Sequence, residues 1–155
     1  DWNLDAPHSL HDFITRVNRI RRENAALQSN DALRFVRIDN DMLLGYVKTA
    51  ALAVPPKDAD ADEPPDADVV RGRNIILTIV NLDAHNPHAG WVWLPLEELG
   101  IDPEEPYQVH DLLGGGRYQW RGHRNYVELN PHIVPAHVFR IERRARSERG
   151  FEYYL

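Results

Sequence analysis

From Ser9 to Leu27 (SLHDFITRVNRIRRENAAL) apolar residues recur at the helical period. Leu10, Phe13, Ile14, Val17, Ile20 and Leu27 fall on one face, and Arg16, Arg19, Arg22 and Glu23 on the other. The pattern predicts one amphipathic helix. Ser9 stands where an N-cap belongs, Asp12 three residues on resembles a capping box with the shorter acid, and Pro7 suits a chain entering a helix. Arg21 and Asn24 interrupt the stripe, so both are expected to reach a polar partner at its edge.

Beyond this helix the pattern is that of β-strands. Leu33 to Ile38 and Met42 to Lys48 are short apolar-rich runs around Asp39-Asn40-Asp41, a β-hairpin with turn residues at its centre. Asn74 to Asn81 (NIILTIVN) is apolar enough to be central in a sheet. Trp91 to Leu94, Tyr107 to His110, Arg117 to Trp120, Asn125 to Leu129 and Ala136 to Ile141 follow, separated by turn-rich segments. The expected fold is all-β: an antiparallel sandwich of about eight strands behind one N-terminal helix. Between two of the strands, Ala50 to Gly72 (AALAVPPKDADADEPPDADVVRG) is rich in Ala, Asp and Pro and has no aromatics. Such a segment cannot bury enough apolar surface to offset its ordering entropy, which predicts a disordered acidic insertion at about 50–72. The last stretch, 143–155, is a charged tail with an aromatic end (FEYYL), and Arg140, Arg143, Arg144, Arg146 and Arg149 read as solvated.

A lone helix ahead of an all-β chain looks like the closing element of a larger domain. With no initiator Met before Asp1, the expectation is a segment of a longer protein.

Composition narrows the function classes. The 155 residues suit one domain with a real core. A net charge of −6 argues against nucleic acid, whose phosphates need clustered Lys and Arg. The absence of Cys removes disulfides, thiolate nucleophiles and thiolate metal sites, and agrees with a cytoplasmic location. No apolar run approaches the roughly 18 to 20 residues that span a bilayer, so no membrane partner is expected.

Candidate chemistry is sparse. Eight histidines invite a metal reading, but the tightest set, Asp83, His85 and His88, lies in a Pro- and Gly-containing loop without a third fixed ligand. We expect neither a metal nor a cofactor. His110 and Asp111 are adjacent in a strand and point to opposite faces, which makes a poor dyad; His123, His132 and His137 have no evident partners. Gly114-Gly115-Gly116 precedes a strand, not a helix, and reads as a hairpin connection instead of a phosphate loop. The three serines, Ser9, Ser29 and Ser147, sit in no nucleophile motif. Trp91, Trp93 and Trp120, all in strands, are the candidate carbohydrate-binding residues, since flat rings stack on sugars. Trp91 and Trp93 share a face opposite Val92 and Leu94, so the pair forms either an exposed platform or core filling, the commoner fate of aromatics in a small sandwich.

The segments LHDFITRVNRIRRENAALQ, LLGYVKT, ILTIVNLD, YQVHDLLGG and AHVFRIER resemble the last barrel helix and C-terminal strands of the α-amylase family, glycoside hydrolase family 13. HDLLGGGRYQWRGHRNYVELNP, PAHVFRIE and SERGFEYYL are similar to segments of maltosyltransferases that move maltose from maltose 1-phosphate onto α-1,4-glucan. The resemblance covers the chain apart from Ala50 to Gly72. It implies a Greek-key sandwich at 31–142 and, at 1–30, the last helix of a (β/α)8 barrel. It implies a non-catalytic accessory role for this chain, packed on that barrel. The family's Asp nucleophile, Glu acid/base and second Asp lie on barrel strands before this helix, and no position here matches them. The paired-carboxylate chemistry therefore belongs to the barrel, and which family activity goes with it is set by barrel loops. Trp2 is expected near the barrel rim. The competing expectation is an α-glucan-binding module using Trp91, Trp93 and Trp120. An uncovered helix face would also favour a homodimer.

Overall fold

The computed structural model of the chain describes residues 6, 9–52 and 72–142. Pro7, Trp2, most of the expected insertion and the tail from 143 with its arginines and aromatic end lie outside the described residues.

Eight strands form one continuous antiparallel array. They are β1 (Leu33–Ile38), β2 (Leu43–Ala51), β3 (Arg73–Asn81), β4 (His88–Trp93), β5 (Tyr107–Asp111), β6 (Arg117–Trp120), β7 (Arg124–Leu129) and β8 (Ala136–Glu142). Their order is β6-β5-β8-β3-β2-β1-β4-β7. The run β3-β2-β1-β4 is the 4-1-2-3 arrangement of a Greek key. β1 makes the corner: Leu33 to Val36 pair with β2, while Arg37 and Ile38 pair with β4. This wraps the array into a sandwich around one core. Gly45 is required at that corner, because a Cβ there would come within 2.8 Å of both Val36 Cγ2 and Ile38 Cδ1.

Period-two alternation supplies the core. Ile75, Leu77 and Ile79 of β3, Tyr107 and Val109 of β5, Val127 and Leu129 of β7, and Phe139 and Ile141 of β8 all turn inward and are buried. A short helix that the sequence reading missed, α2 (Leu96–Leu99), adds Leu96, Leu99 and the following Ile101 to this core. It ends at Gly100, whose φ of 68° is the left-handed cap conformation that glycine adopts without strain. β2 runs on to Ala51, paired with Arg73, so the ladder extends two residues into the stretch expected to be an insertion.

The N-terminal helix, α1 (His11–Glu23), is shorter than expected. Leu10, not Ser9, occupies the cap position and no side chain caps the helix, so the capping box is absent; Ser9 Oγ only accepts the His11 N–H at 3.3 Å. At the other end Asn24 leaves helical geometry, with φ −121° and ψ 109°. Its Nδ2 folds back to donate to Ile20 O at 2.8 Å, taking the place of the next helical N–H. A single 3-10 turn, Ala25–Leu27, follows, so Leu27 does not continue the stripe.

That junction anchors the helix. Asn74 Nδ2 donates to Asn24 Oδ1 at 3.1 Å, and Asn74 Oδ1 accepts the Ala26 N–H at 3.0 Å, all in buried surroundings. The 3-10 turn lies on the outer face of β2 and β3 and buries the outward Ile76 and Lys48. Asn24 thus finds the polar partner its position called for, whereas Arg21 is exposed.

Candidate functional site

The three candidate tryptophans do not share one surface. β4 turns Val92 and Leu94 into the core, which places Trp91 and Trp93 on the outside of the sandwich. The commoner fate of such rings, core filling, does not apply to this pair: Trp91 is 37% exposed and Trp93 half-buried. Arg124 on β7 stacks on both, its guanidinium carbon 4.3 Å from the Trp91 ring centre and 5.2 Å from that of Trp93. Arg37 on β1 lies 4.8 Å from Trp93, and Tyr126 meets Trp91 edge-on at 5.4 Å. Trp120 is different. Its ring packs inward against Tyr107 and Phe139 at 6.5 and 5.3 Å.

The loop is organised by the Asp83 carboxylate, which reaches the ring of His88 but only the backbone of His85. Asp83 accepts from the His85 and Asn86 backbone N–H groups, from Asn86 Nδ2 and from His88 Nε2. The Asn86 amide, then the His85 N–H and His88, hold its carboxyl well below the usual range. His132 Nε2 donates to His85 O at 3.0 Å, stitching this loop to the β7–β8 connection. Among the described residues no group of three or more His, Cys, Asp or Glu is placed to hold a metal ion. Nor, among them, is any helix long and apolar enough to cross a membrane.

The interior holds a pair that sequence reasoning missed. His110 and Asp111 do point to opposite faces, but the inward Asp111 meets His137, 26 residues away on β8. His137 Nδ1 lies 2.8 Å from Asp111 Oδ2, and its Nε2 lies 3.1 Å from Glu128 O. Asp111 also accepts the Leu113 N–H at 3.1 Å and a backbone hydrogen bond from Gly114. The carboxylate stands where a Gly114 side chain would, since a Cβ there would lie 2.6 Å from Oδ2. The glycine run is therefore the β5–β6 turn, shaped around a buried acid.

Burial alone would lower the His137 pKa and raise that of Asp111. The hydrogen bonds between them, with those from the Glu128 carbonyl and the Gly114 and Leu113 amides, outweigh it. The His137 pKa is raised and the Asp111 pKa lowered, as in an ion pair. Both imidazole nitrogens face acceptors inside the protein, so neither is free for a substrate. The pair ties β5, β7 and β8 together. Tyr107 plays a similar part nearby: its hydroxyl donates to Gly122 O at 3.0 Å and accepts from Asn125 Nδ2 at 2.8 Å, with burial pushing its pKa up to about 12.

The helix supplies the clearest anomaly. Arg16, Ile20 and Asn24, spaced i, i+4, i+8, are the line turned toward the sandwich: Arg16 Nη1 donates to Leu113 O at 2.6 Å and Ile20 is buried. The apolar stripe is rolled away. Leu10, Phe13, Ile14 and Val17 are between 40% and 65% exposed.

Comparison with known proteins places this geometry. The family described as GLGE, C-terminal, matches residues 35–141. A Chlorobaculum tepidum protein described as an alpha-1,4-glucan:maltose-1-phosphate maltosyltransferase is 42% identical over 146 residues, covering 90% of this chain and 19% of that protein. A Salinibacter ruber protein of the same description is 35% identical over 153 residues, covering 99% of this chain and 20% of that protein. The chain spans about a fifth of the length of these curated relatives. Among solved structures, the noncanonic maltogenic α-amylase AmyB from Thermotoga neapolitana matches with a TM-score of 0.52 at 10% identity, over 91% of this chain and 28% of that one. That likeness shows a shared fold.

Proposed function

The chain belongs to the GLGE C-terminal family, and from that premise we propose that it is the non-catalytic C-terminal domain of an α-glucan maltosyltransferase, packing on the catalytic part of the same protein. The observation that carries this reading is the apolar stripe of α1 turned away from its own sandwich. Four adjacent apolar side chains facing water are a docking surface in search of a cover. A helix anchored through Arg16, Ile20 and Asn24 and apolar on its free side suits a position between two domains. The chemistry of maltosyl transfer then belongs to the covering part, and a cytoplasmic location is part of the same reading.

The test is Phe13→Asp with Ile14→Asp, made both in this chain and in the longer protein that carries it. The isolated chain should keep its stability to within about 0.5 kcal/mol, as expected of exposed positions. The longer protein should lose thermal stability and maltosyl transfer together. Unchanged melting and transfer in the longer protein would remove the docking role. Self-association of the isolated chain through the same stripe is the homodimer alternative; light scattering detects it as a dimer that the two substitutions convert to monomer.

One observation favours a second reading, α-glucan binding: the Trp91 ring is turned outward. With Trp120 packed inward, that reading rests on Trp91 and Trp93. A maltoheptaose titration followed by tryptophan fluorescence tests it. Saturable binding lost in Trp91→Ala supports it, and no response up to millimolar sugar removes it.

A further inference from the structure

An antiparallel sheet with one face in water alternates apolar residues inward and polar residues outward. β5 and β6 keep this rule, with Gln108, His110, Arg117 and Gln119 on their outer faces. β1 and β2 break it. Leu33 and Phe35 of β1 and Leu44 and Tyr46 of β2 point outward, opposite the inward Val36, Leu43 and Val47. Leu33, Phe35 and Leu44 are 41%, 64% and 40% exposed. Phe35 and Tyr46 are register partners whose rings meet edge-on at 6.4 Å. The four residues form one apolar patch with Phe35 as its most exposed member.

The patch and the apolar stripe of α1 lie on the same side of the sheet. The 3-10 turn that ends α1 sits on β2 and β3 and covers Lys48, the register partner of Leu33. From that turn α1 leads toward β5, where Arg16 meets Leu113 O, and the patch lies in the other direction, toward β1. Size shows why both are needed. At roughly 200 Å² for a fully exposed large side chain, the four stripe residues offer on the order of 400 Å² of apolar surface. A stable interface takes about 800 Å² from each partner. The stripe alone supplies about half of that, and the patch raises the total to on the order of 700 Å².

We propose that the outward face of β1 and β2, centred on Phe35, is a second docking surface for the part of the longer protein that precedes α1. That part straddles the 3-10 turn and covers stripe and patch together. The proposal rests on the docking reading above and extends it from the helix to the sheet. The match takes in only about a fifth of the relatives' length and belongs to a C-terminal family, so the covering part is tethered through α1. A tethered part meets the patch at a high effective concentration, an advantage that a second copy of the chain lacks. None of the four patch side chains is charged, so the surface it receives is apolar as well.

The test places a photo-crosslinker in the longer protein, one position at a time: Phe35→p-benzoylphenylalanine for the patch and Phe13→p-benzoylphenylalanine for the stripe. Leu44→p-benzoylphenylalanine samples the patch a second time, so that one poorly folded variant does not decide the matter. After illumination, mass spectrometry identifies the peptide joined to each probe. Both patch probes and the stripe probe should join peptides that precede α1 in the same molecule, with a yield unchanged by tenfold dilution. Patch probes that join a second copy, in a yield that falls on dilution, would overturn the proposal. So would patch probes that join residues 53–71 or 143–155, or that join nothing, while the stripe probe still reaches the preceding part; the docking reading for α1 would then stand alone. A stripe probe that joins nothing ahead of α1 would overturn that reading, and this proposal with it.

Discussion

Replacing His137 by Phe should destabilise the sandwich far more than the loss of one surface histidine. The ring of Phe fills the same space, but Asp111, 2% exposed, keeps a charge inside without its partner. Removing one member of a buried pair costs about 3–5 kcal/mol. The Leu113 and Gly114 amides still serve the carboxylate, which places the expectation at the low end, about 3 kcal/mol, or about 6–12 °C in melting temperature. Adding Asp111→Asn removes the stranded charge and keeps an acceptor for the Leu113 N–H. The double variant should therefore regain at least about 1 kcal/mol over His137→Phe alone. The pair also sets a pH window. The folded pKa of His137 is raised from 6.5, so its contribution is complete below 6.5 and is lost as pH rises through the raised value. The folded pKa of Asp111 is lowered from 3.8, so its contribution is complete above 3.8 and is lost as pH falls through the lowered value. Stability from the pair is thus greatest between those limits and falls toward alkaline pH. His110 works in the opposite sense, since burial and the charges of Arg117 and Arg140 lower its pKa. The informative quantity is therefore the difference between parent and His137→Gln, followed by denaturant unfolding between about pH 5.5 and pH 8.5. Parallel pH profiles for the two proteins, or a His137→Phe cost below about 0.5 kcal/mol, would refute the assignment of a buried ion pair.

Three further outcomes are expected. Asn74→Ala removes both hydrogen bonds that hold the end of α1, so it should cost about 2–3 kcal/mol and speed amide exchange in α1 while β3 keeps its protection; an unchanged α1 would show that Arg16 and Ile20 suffice to anchor it. Gly114→Ala pushes a methyl group against the Asp111 carboxylate and should cost about 1–3 kcal/mol by denaturant unfolding, with most of the cost gone in an Asp111→Ala background. Gly45→Val drives a branched side chain into Val36 and Ile38 at the β1 corner, and should lower the melting temperature more than Gly114→Ala does, because both neighbours are part of the packed interior.

The strands were legible because their signal is local. Alternation within NIILTIVN or YQVHD depends on the two faces of one strand, and each predicted run recurs in the sheet within a few residues. The turns were legible for the same reason, through Asp39-Asn40-Asp41 and the glycine run. The site was less so. The Asp111–His137 pair had a faint signal, since each residue occupies an inward position of its strand and a buried charge must find a partner. The sequence says that a partner is needed, but two residues 26 apart meet only because β8 inserts beside β5. The short helix α2 escaped notice because four residues give no period to read, although Gly100 marks its end.

The amino-acid sequence by itself determined the all-β class, the amphipathic helix ahead of it and the opposition of Trp91 and Trp93 to Val92 and Leu94. Each of these follows from a period of two or 3.6 residues along one segment. Only the tertiary structure decided which face of each element is covered. It rolled the apolar stripe of α1 outward, because Asn24 and Asn74 lock the helix end and Arg16 reaches Leu113. It placed Trp120 inside and its two companions outside, between arginines from neighbouring strands. A face becomes buried when another element lies on it, and that element is chosen by the order of the strands, which no single segment encodes.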